Sequence, residues 1–365
     1  MKRINVMIKP ASSLCDMRCG YCFYSNVADL RATASMGVMS REAACSLVKN
    51  SLCVLTAGDH ITFAFQGGEP GLAGLEFFKF FVDEVKKAVP PRVKVDYCMQ
   101  TNGLMIDDEW CVFLKENNFL VGLSLDGDAA LHNQNRMDSV GKGTFSRVME
   151  SKSKLDRHKV MYNILCVLTL ESARRAKRIW DFIVQEKVTH IQFIPCLEPL
   201  GSEPSEGPAL TSARFYRFYS ALYPLWKKEV AKGNMISVRF FEDLALLFLA
   251  GQPVTCGISG RCSPQIIVEA DGGVYPCDFY VLDEYRVSDL TKHTLQEAFE
   301  AVAKSDFLKE GRQLPDGCVS CTYSKWCKGG CKRMARAVYG ENCGMKRFLD
   351  ECLQDLLAVF RSLIK

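Results

Sequence analysis

Eighteen cysteines punctuate this 365-residue chain, and most fall into two groups whose spacing suits metal thiolates. Cys15, Cys19 and Cys22 stand three and two residues apart in KPASSLCDMRCGYCFY, so three thiolates converge from one short loop. Three ligands on a four-iron cube leave one iron open. A zinc site ordinarily takes a fourth protein ligand, and none is close in sequence. Eight more cysteines follow, at Cys256, Cys262, Cys277, Cys318, Cys321, Cys327, Cys331 and Cys343, enough for two sets of four. A zinc ribbon made of Cys318, Cys321, Cys327 and Cys331 alone would leave Cys256, Cys262 and Cys277 unexplained. The remaining Cys45, Cys53, Cys98, Cys111, Cys166, Cys196 and Cys352 sit mostly inside predicted helices or strands. They are read as core packing, because a buried free thiol behaves as a small apolar group. Clustering of this kind reads as metal binding in a reducing compartment rather than as a disulfide framework.

Other polar groups gather where predicted strands end. Gln66-Gly67-Gly68-Glu69-Pro70 closes one strand, Gln100-Thr101-Asn102-Gly103 the next and Ser124-Leu125-Asp126-Gly127 the one after. Glycines at such a place let a backbone edge approach a ligand closely. Arg136 follows Ser124 by twelve residues, and Asp278 comes directly after Cys277. An aspartate there either caps a hairpin, pairs with a basic side chain or serves as a base. The five histidines are scattered and form no metal or hydrolase pattern, and Gly141-Lys142-Gly143 reads as a surface turn.

The elements that must position these groups alternate. Apolar β-like runs recur at Ile61 to Phe65, Val95 to Met99, Leu120 to Leu125, Tyr162 to Leu168 and Ile191 to Leu197. Helix-like stretches lie between them at Pro70 to Ala88, Asp107 to Asn117 and Thr144 to His158. Strand and helix in alternation imply an α/β fold with a parallel sheet, open or curled into a partial barrel, with chemistry at the carboxyl ends of the strands. Gly201 to Pro208 reads as a loop, Thr211 to Lys232 and Phe240 to Ala250 as helices, Ile266 to Cys277 as a hairpin and Met345 to Lys365 as a closing helix. Residues 1–235 are expected to form the barrel domain and 236–365 a smaller domain folded around metal. The 46 basic and 42 acidic residues leave a charge of +4 without a run long enough for a nucleic-acid or membrane footprint. No export signal or long apolar stretch is present, so the expected location is the cytoplasm.

The loop C-x3-C-x2-C, with Tyr21 just before Cys22 and GGEP about fifty residues behind it, resembles the radical S-adenosylmethionine (SAM) signature. The later CVSCTYSKWCKGGC, preceded by Cys277-Asp278, resembles the SPASM extension of peptide-modifying radical SAM enzymes. KPASS, FAFQGGEP, QTNG, FLVGLSLDG, YNILCVLT, QFIPCLEPL, VYPCDFYVLD and CKGGC together resemble the anaerobic sulfatase-maturating enzymes over nearly the whole chain. The resemblance implies a partial (β/α)6 TIM-like barrel with a C-terminal SPASM domain, three 4Fe-4S clusters and SAM. It implies oxidation of a sulfatase Cys or Ser to Cα-formylglycine after a 5′-deoxyadenosyl radical removes a Cβ hydrogen. By position it assigns the open cluster to Cys15, Cys19 and Cys22. Auxiliary cluster I falls to Cys256, Cys262, Cys277 and Cys331, and auxiliary cluster II to Cys318, Cys321, Cys327 and Cys343, with Cys352 as the alternative fourth ligand. It assigns SAM contacts to Tyr21, Gly67, Ser124, Arg136 and Leu197, and the general base to Asp278. Implied partners are a sulfatase or other peptide and a low-potential donor such as flavodoxin or ferredoxin, with neither nucleic acid nor membrane.

Two other functions share parts of this pattern. A maturase of ribosomally made peptides would keep the fold and change the client. Such enzymes often carry a leader-binding domain, and only fourteen residues precede Cys15, which favours the sulfatase client. A non-catalytic metal scaffold would keep the thiolates alone, and iron analysis separates it from an enzyme with three cubes.

Overall fold

Short runs rich in β-branched and aromatic residues become strands where one or both faces are covered. The structure is a computed structural model and describes residues 1–202, 207–251, 255–310, 314, 316–340 and 342–364. Its strands are β1 (Arg3–Ile8), β2 (His60–Phe65), β3 (Lys94–Thr101), β4 (Leu120–Ser124), β5 (Met161–Leu168), β6 (His190–Pro195), β7 (Ser237–Val238), β8 (Ile266–Val268), β9 (Gly273–Tyr275) and β10 (Ser288–Asp289). The chain forms two compact units. One comprises Met1–Ser124, Arg136–Tyr162 and Ser263–Gly311, and the other Leu125–Asn135, Asn163–Cys262 and Arg312–Lys365.

In the first unit β1 to β4 run parallel in sequence order, with Val6 opposite Phe63 and Phe63 opposite Tyr97. β8 joins the other side of β1 in parallel, and β9 and β10 follow antiparallel. β1 had no expectation from sequence, because Arg3 and Asn5 interrupt its apolar run. The expected helix over Pro70 to Ala88 is broken at Gly74, whose φ of 83° separates a short 3-10 turn, Pro70–Ala73, from the helix Leu75–Ala88. That helix buries Phe77, Phe78, Phe81, Val82 and Val85. Phe81 meets Phe63 at 5.2 Å and Phe78 meets Phe65 at 4.9 Å, both edge to face, a packing that adds to the burial of apolar area. Strand ends are thereby fixed against a stiff aromatic layer.

In the second unit β5, β6 and β7 are parallel. The helix Ser212–Ala231 starts where the Thr211 side chain accepts from the Arg214 N–H, and it buries Phe215, Phe218, Tyr219, Tyr223 and Trp226. The helix Arg239–Ala250 and the terminal helix Gly344–Ile364 pack on it, with Tyr219 4.1 Å from Phe240 and Phe241 stacked on Phe348. Tyr223 donates to Asp355 at 2.8 Å. β6 stops at Pro195, two residues before the expected end, so Leu197 lies in the following loop. Within Gly201 to Pro208, residues 203–206 lie outside the described residues. Cys111, Cys166, Cys196 and Cys352 are buried as expected, whereas Cys45 and Cys53 are exposed and Cys98 is half-buried, so core packing does not explain those three. Among the described residues no helix is long and apolar enough to cross a membrane.

Candidate functional site

The carboxyl ends of β1 to β4 carry the polar groups that the sequence places at strand ends. Past β2, the Gly68 N–H donates to the Ser12 carbonyl at 2.8 Å and the Glu69 N–H to the Leu14 carbonyl at 2.7 Å. These bonds lock the strand end onto the loop that leads to Cys15. A Cβ on Gly68 would stand 2.0 Å from the Leu14 carbonyl oxygen, so only glycine permits the approach. Glu69 is buried and accepts from the Gly71 N–H at 3.0 Å, the Thr101 hydroxyl at 2.9 Å and the Asn102 N–H at 2.7 Å. Burial nevertheless pushes its carboxyl up to about 7. The Asn102 amide donates to Asp16 at 2.7 Å and lies 3.9 Å from the Cys15 sulfur. Motif residues from two strand ends thus brace the first cysteine.

Cys15 and Cys19 are half-buried and Cys22 is exposed, immediately before the helix Phe23–Asp29. Burial raises the Cys15 thiol to about 12, opposed by the Met17 N–H at 3.4 Å from its sulfur. Burial thus disfavours a bare thiolate at this position. Arg136 is buried, and its guanidinium lies 5.5 Å from the ring centre of the half-buried Tyr21, so two of the expected SAM contacts meet. Gly67 adjoins the Ser12 carbonyl, which a Cβ would approach to 2.9 Å, and Ser124 is buried at the end of β4. Leu197 belongs to the second unit, where it is half-buried.

Asp278 follows the hairpin of β8 and β9 and lies in the first unit with Cys277. One carboxylate oxygen takes a 2.5 Å ion pair from Lys9 and the other a 2.8 Å hydrogen bond from the Gln66 side-chain amide. The Lys9 side chain has no exposure, against 15% for that of Asp278. The Lys9 ammonium sits 3.9 Å from the centre of the Tyr24 ring, and the Tyr24 hydroxyl donates to Glu269. Glu269 in turn pairs with Arg31 at 2.9 Å with both side chains fully buried. Burial, reinforced by the neighbouring Glu269, holds the Tyr24 phenol well above its ordinary range. A buried ammonium without a carboxylate would be costly, so Lys9 and Asp278 depend on each other. The arrangement leaves one partly accessible carboxylate with both oxygens oriented, a group able to accept a proton from a bound substrate.

Lys9, Gln66, Tyr24 and Glu269 had no individual role in the sequence reading. Lys9 and Gln66 fall within quoted motifs, but their partner lies more than 200 residues away, and nothing local marks the pairing. The one available signal is a charged residue, Lys9, directly after the apolar Val6-Met7-Ile8 that ends β1.

The second unit gathers thiols. Cys318, Cys321, Cys327 and Cys343 line a single cavity of about 470 Å3, which Cys352 does not line. Burial raises the Cys327 and Cys343 thiols, and each is raised further by its neighbours in this set. Burial pushes Cys256 up to about 11, with Cys331 and Cys262 near enough to add to the shift. Gly330 in CKGGC has φ 67°, and a Cβ there would stand 1.9 Å from the Tyr339 ring, so glycine is required for this turn. Among the described residues no three His, Cys, Asp or Glu side chains form a single-ion site. Four thiols around the walls of a roomy cavity suit a polynuclear iron-sulfur group better than one zinc ion.

An iron-sulfur cluster-binding domain family, SPASM, matches residues 256–322. A cysteine-type anaerobic sulfatase-maturating enzyme of Clostridium perfringens (strain 13 / Type A) is 42% identical over 335 residues, covering 91% of this chain and 90% of that protein. A serine-type anaerobic sulfatase-maturating enzyme of Klebsiella aerogenes is 30% identical over 363 residues, covering 98% of this chain and 87% of the relative. The solved structure of native anSMEcpe with bound AdoMet and the Cp18Cys peptide superposes with a TM-score of 0.91 at 36% identity, covering 99% of each chain. The α/β architecture is therefore that of a radical SAM partial barrel with a SPASM extension.

Proposed function

This chain belongs to the anaerobic sulfatase-maturating enzymes, and from that premise we propose that Asp278 is the base that takes the proton of the thiol or hydroxyl being oxidised. The enzyme is a radical SAM oxidoreductase that converts a sulfatase cysteine or serine to Cα-formylglycine, and it carries three 4Fe-4S clusters with SAM. When bound, SAM and the cluster at Cys15, Cys19 and Cys22 supply the radical that removes one Cβ hydrogen from the target residue. Tyr21, Gly67, Ser124, Arg136 and Leu197 hold SAM in this reading. Cys318, Cys321, Cys327 and Cys343 hold one auxiliary cluster, and Cys256, Cys262, Cys277 and Cys331 the other. We place the boundary between barrel and SPASM domains at residue 235 and the enzyme in the cytoplasm, served by a low-potential donor such as flavodoxin or ferredoxin.

The observation that carries the role of Asp278 is the clamp from Lys9 and Gln66 on its two oxygens. Lys9 supplies the positive charge that a partly buried carboxylate needs opposite it. Gln66 fixes the plane of the carboxylate, so that its charge partner and its direction are set by separate residues. Loss of the proton accompanies loss of an electron from the substrate radical, with the auxiliary cluster that Cys277 and its set would hold as the acceptor, leaving a thioaldehyde or aldehyde, and water converts the former to formylglycine with release of hydrogen sulfide. The cysteine-type relative stands at 42% identity and the serine-type relative at 30%, which supports cysteine as the preferred target.

Anaerobic reconstitution is expected to yield about twelve irons per chain. With SAM and reductant, that enzyme is expected to convert a peptide containing Cys-x-Pro-x-Arg to formylglycine by mass spectrometry, faster than its serine counterpart. SAM cleavage that leaves both peptides unmodified would contradict the sulfatase client.

A further inference from the structure

One buried carboxylate in the first unit holds both ends of a single helix. Glu269 comes directly after β8 and has no exposure. Its Oε1 accepts from the Tyr24 hydroxyl, in the first turn of the helix Phe23–Asp29, and from the Arg31 guanidinium, just past its end, at 2.9 Å. Seven positions separate Tyr24 from Arg31, about two helical turns, so both reach the same side. That helix starts from Cys22, while Glu269 opens the hairpin that leads to Cys277 and Asp278. Two further contacts repeat the tie. Phe23 meets Phe279 edge to face at 4.9 Å, and the Ala32 N–H donates to Asp283 at 2.7 Å. The other arm of Arg31 donates to the Ala34 carbonyl at 2.6 Å and to the Ser12 hydroxyl at 3.4 Å, in the loop that leads to Cys15.

Stability alone does not call for such a pair. Taking two charges out of water is costly, and well-packed apolar residues of similar volume are often as stable or more so. The Arg31 Nε is moreover buried without a partner among the described residues, which adds to that cost. What a buried pair of this kind provides is direction, because few arrangements satisfy it. We propose that Glu269, together with Arg31, is a positioning residue for the oxidation, setting the Asp278 carboxylate at a fixed distance from the loop of Cys15, Cys19 and Cys22. The inference rests on the reading of Asp278 as the base. Glu269 is too deeply buried to touch a substrate and acts through Tyr24, whose ring lies 3.9 Å from the Lys9 ammonium that pairs with Asp278. The cysteine loop has separate anchors in the Gly68 and Glu69 N–H groups, so SAM cleavage survives loss of the pair while the proton acceptor shifts. A misplacement of about 1 Å made far from the chemistry can cost about 100-fold in rate.

The test compares wild-type holoenzyme with Arg31→Met/Glu269→Gln, which removes both charges and keeps a carbonyl acceptor for the Tyr24 hydroxyl. Before reconstitution its Tm is expected within about 3 °C of wild type, and after it the iron content is expected to be equal. Its kcat for formylglycine is expected to fall about ten-fold or more, with KM for the Cys-x-Pro-x-Arg peptide within about two-fold of wild type. The 5′-deoxyadenosine released per formylglycine should rise by the same factor as kcat falls. A wild-type kcat would overturn the inference, as would loss of iron or an equal fall in both products. Arg31→Lys keeps a cation opposite Glu269 without the second arm, and is expected to form formylglycine about three-fold less efficiently per 5′-deoxyadenosine. Should the double variant fail to fold, this one decides, and a wild-type product ratio in it would overturn the positioning role. Asp278→Asn at the wild-type yield would instead remove the base reading itself, whatever the pair variants show.

Discussion

The ends of β1 and β2 and the thiol field of the second unit are built on opposite plans. Asp278 is held by Lys9 and Gln66, residues 269 and 212 positions away, and behind them Glu269 is joined to Tyr24 and Arg31. Cys318, Cys321, Cys327 and Cys343 instead come from one stretch of 26 residues and meet around one cavity. The first plan gives a pre-oriented carboxylate, the proposed base, whose removal disturbs a whole buried charge network. The second gives a thiol set that short turns can assemble, with Gly330 making room for Tyr339. A site made of side-chain pairs should fail in its chemistry when one partner is lost, and a site made of turns should fail in its metal content.

The largest effect is expected at Lys9. Replacing it as Lys9→Met leaves the Asp278 carboxylate without its cation, and breaking such a pair costs about 3 to 5 kcal/mol. Formylglycine yield should fall by about 100-fold or more, while 5′-deoxyadenosine is still released, as read by chromatography of one reaction mixture. Equal loss of both products would erase the distinction drawn between the two regions.

Gly330→Ala should show the opposite pattern. At φ 67° and with the Tyr339 ring in the way, the added methyl should cost about 2 to 3 kcal/mol. Iron analysis is expected to show about one cube fewer per chain. Full iron content in this variant would mean that the turn is not what assembles the thiols.

A smaller effect separates the thiol field from the polar core beside it. Asp243 on the helix Arg239–Ala250 is pushed up to about 6 by burial, although Arg239 stands 3.0 Å away. Its folded-state value lies above the unfolded value, so the folded chain holds this proton longer and loses stability as pH rises from about 4 to about 6. Asp243→Asn cannot ionise, so its Tm should gain on that of wild type across this window and stay ahead above it. A constant Tm difference would contradict the burial argument. Least of all should Tyr223→Phe matter, since losing the 2.8 Å bond to the half-exposed Asp355 should cost about 1 kcal/mol. Denaturant unfolding measures it.

Much of this was readable in the sequence, and what was not has physical reasons. β2 to β5 lie within two residues of the runs that suggested them, because their apolar residues recur in short, covered segments. The hairpin, the long helix Ser212–Ala231 and the terminal helix also follow local pattern and capping. β1 escaped because Arg3 and Asn5 dilute its apolar character. The helix over Pro70 to Ala88 was drawn too long, since periodicity does not register the left-handed turn at Gly74. At the site, the cysteine groups and the strand-end motifs show in the sequence because their members are neighbours in the chain. The sequence reading left open that Asp278 pairs with a basic side chain. That partner is Lys9, and pairing across a parallel sheet edge leaves no periodic trace.

The most direct measurement is single-turnover product analysis of Asp278→Asn reconstituted holoenzyme with SAM, reductant and the Cys-x-Pro-x-Arg peptide. If Asp278 is the base, SAM is still cleaved and 5′-deoxyadenosine accumulates, but formylglycine falls to background. Formylglycine at the wild-type yield per 5′-deoxyadenosine would contradict that role.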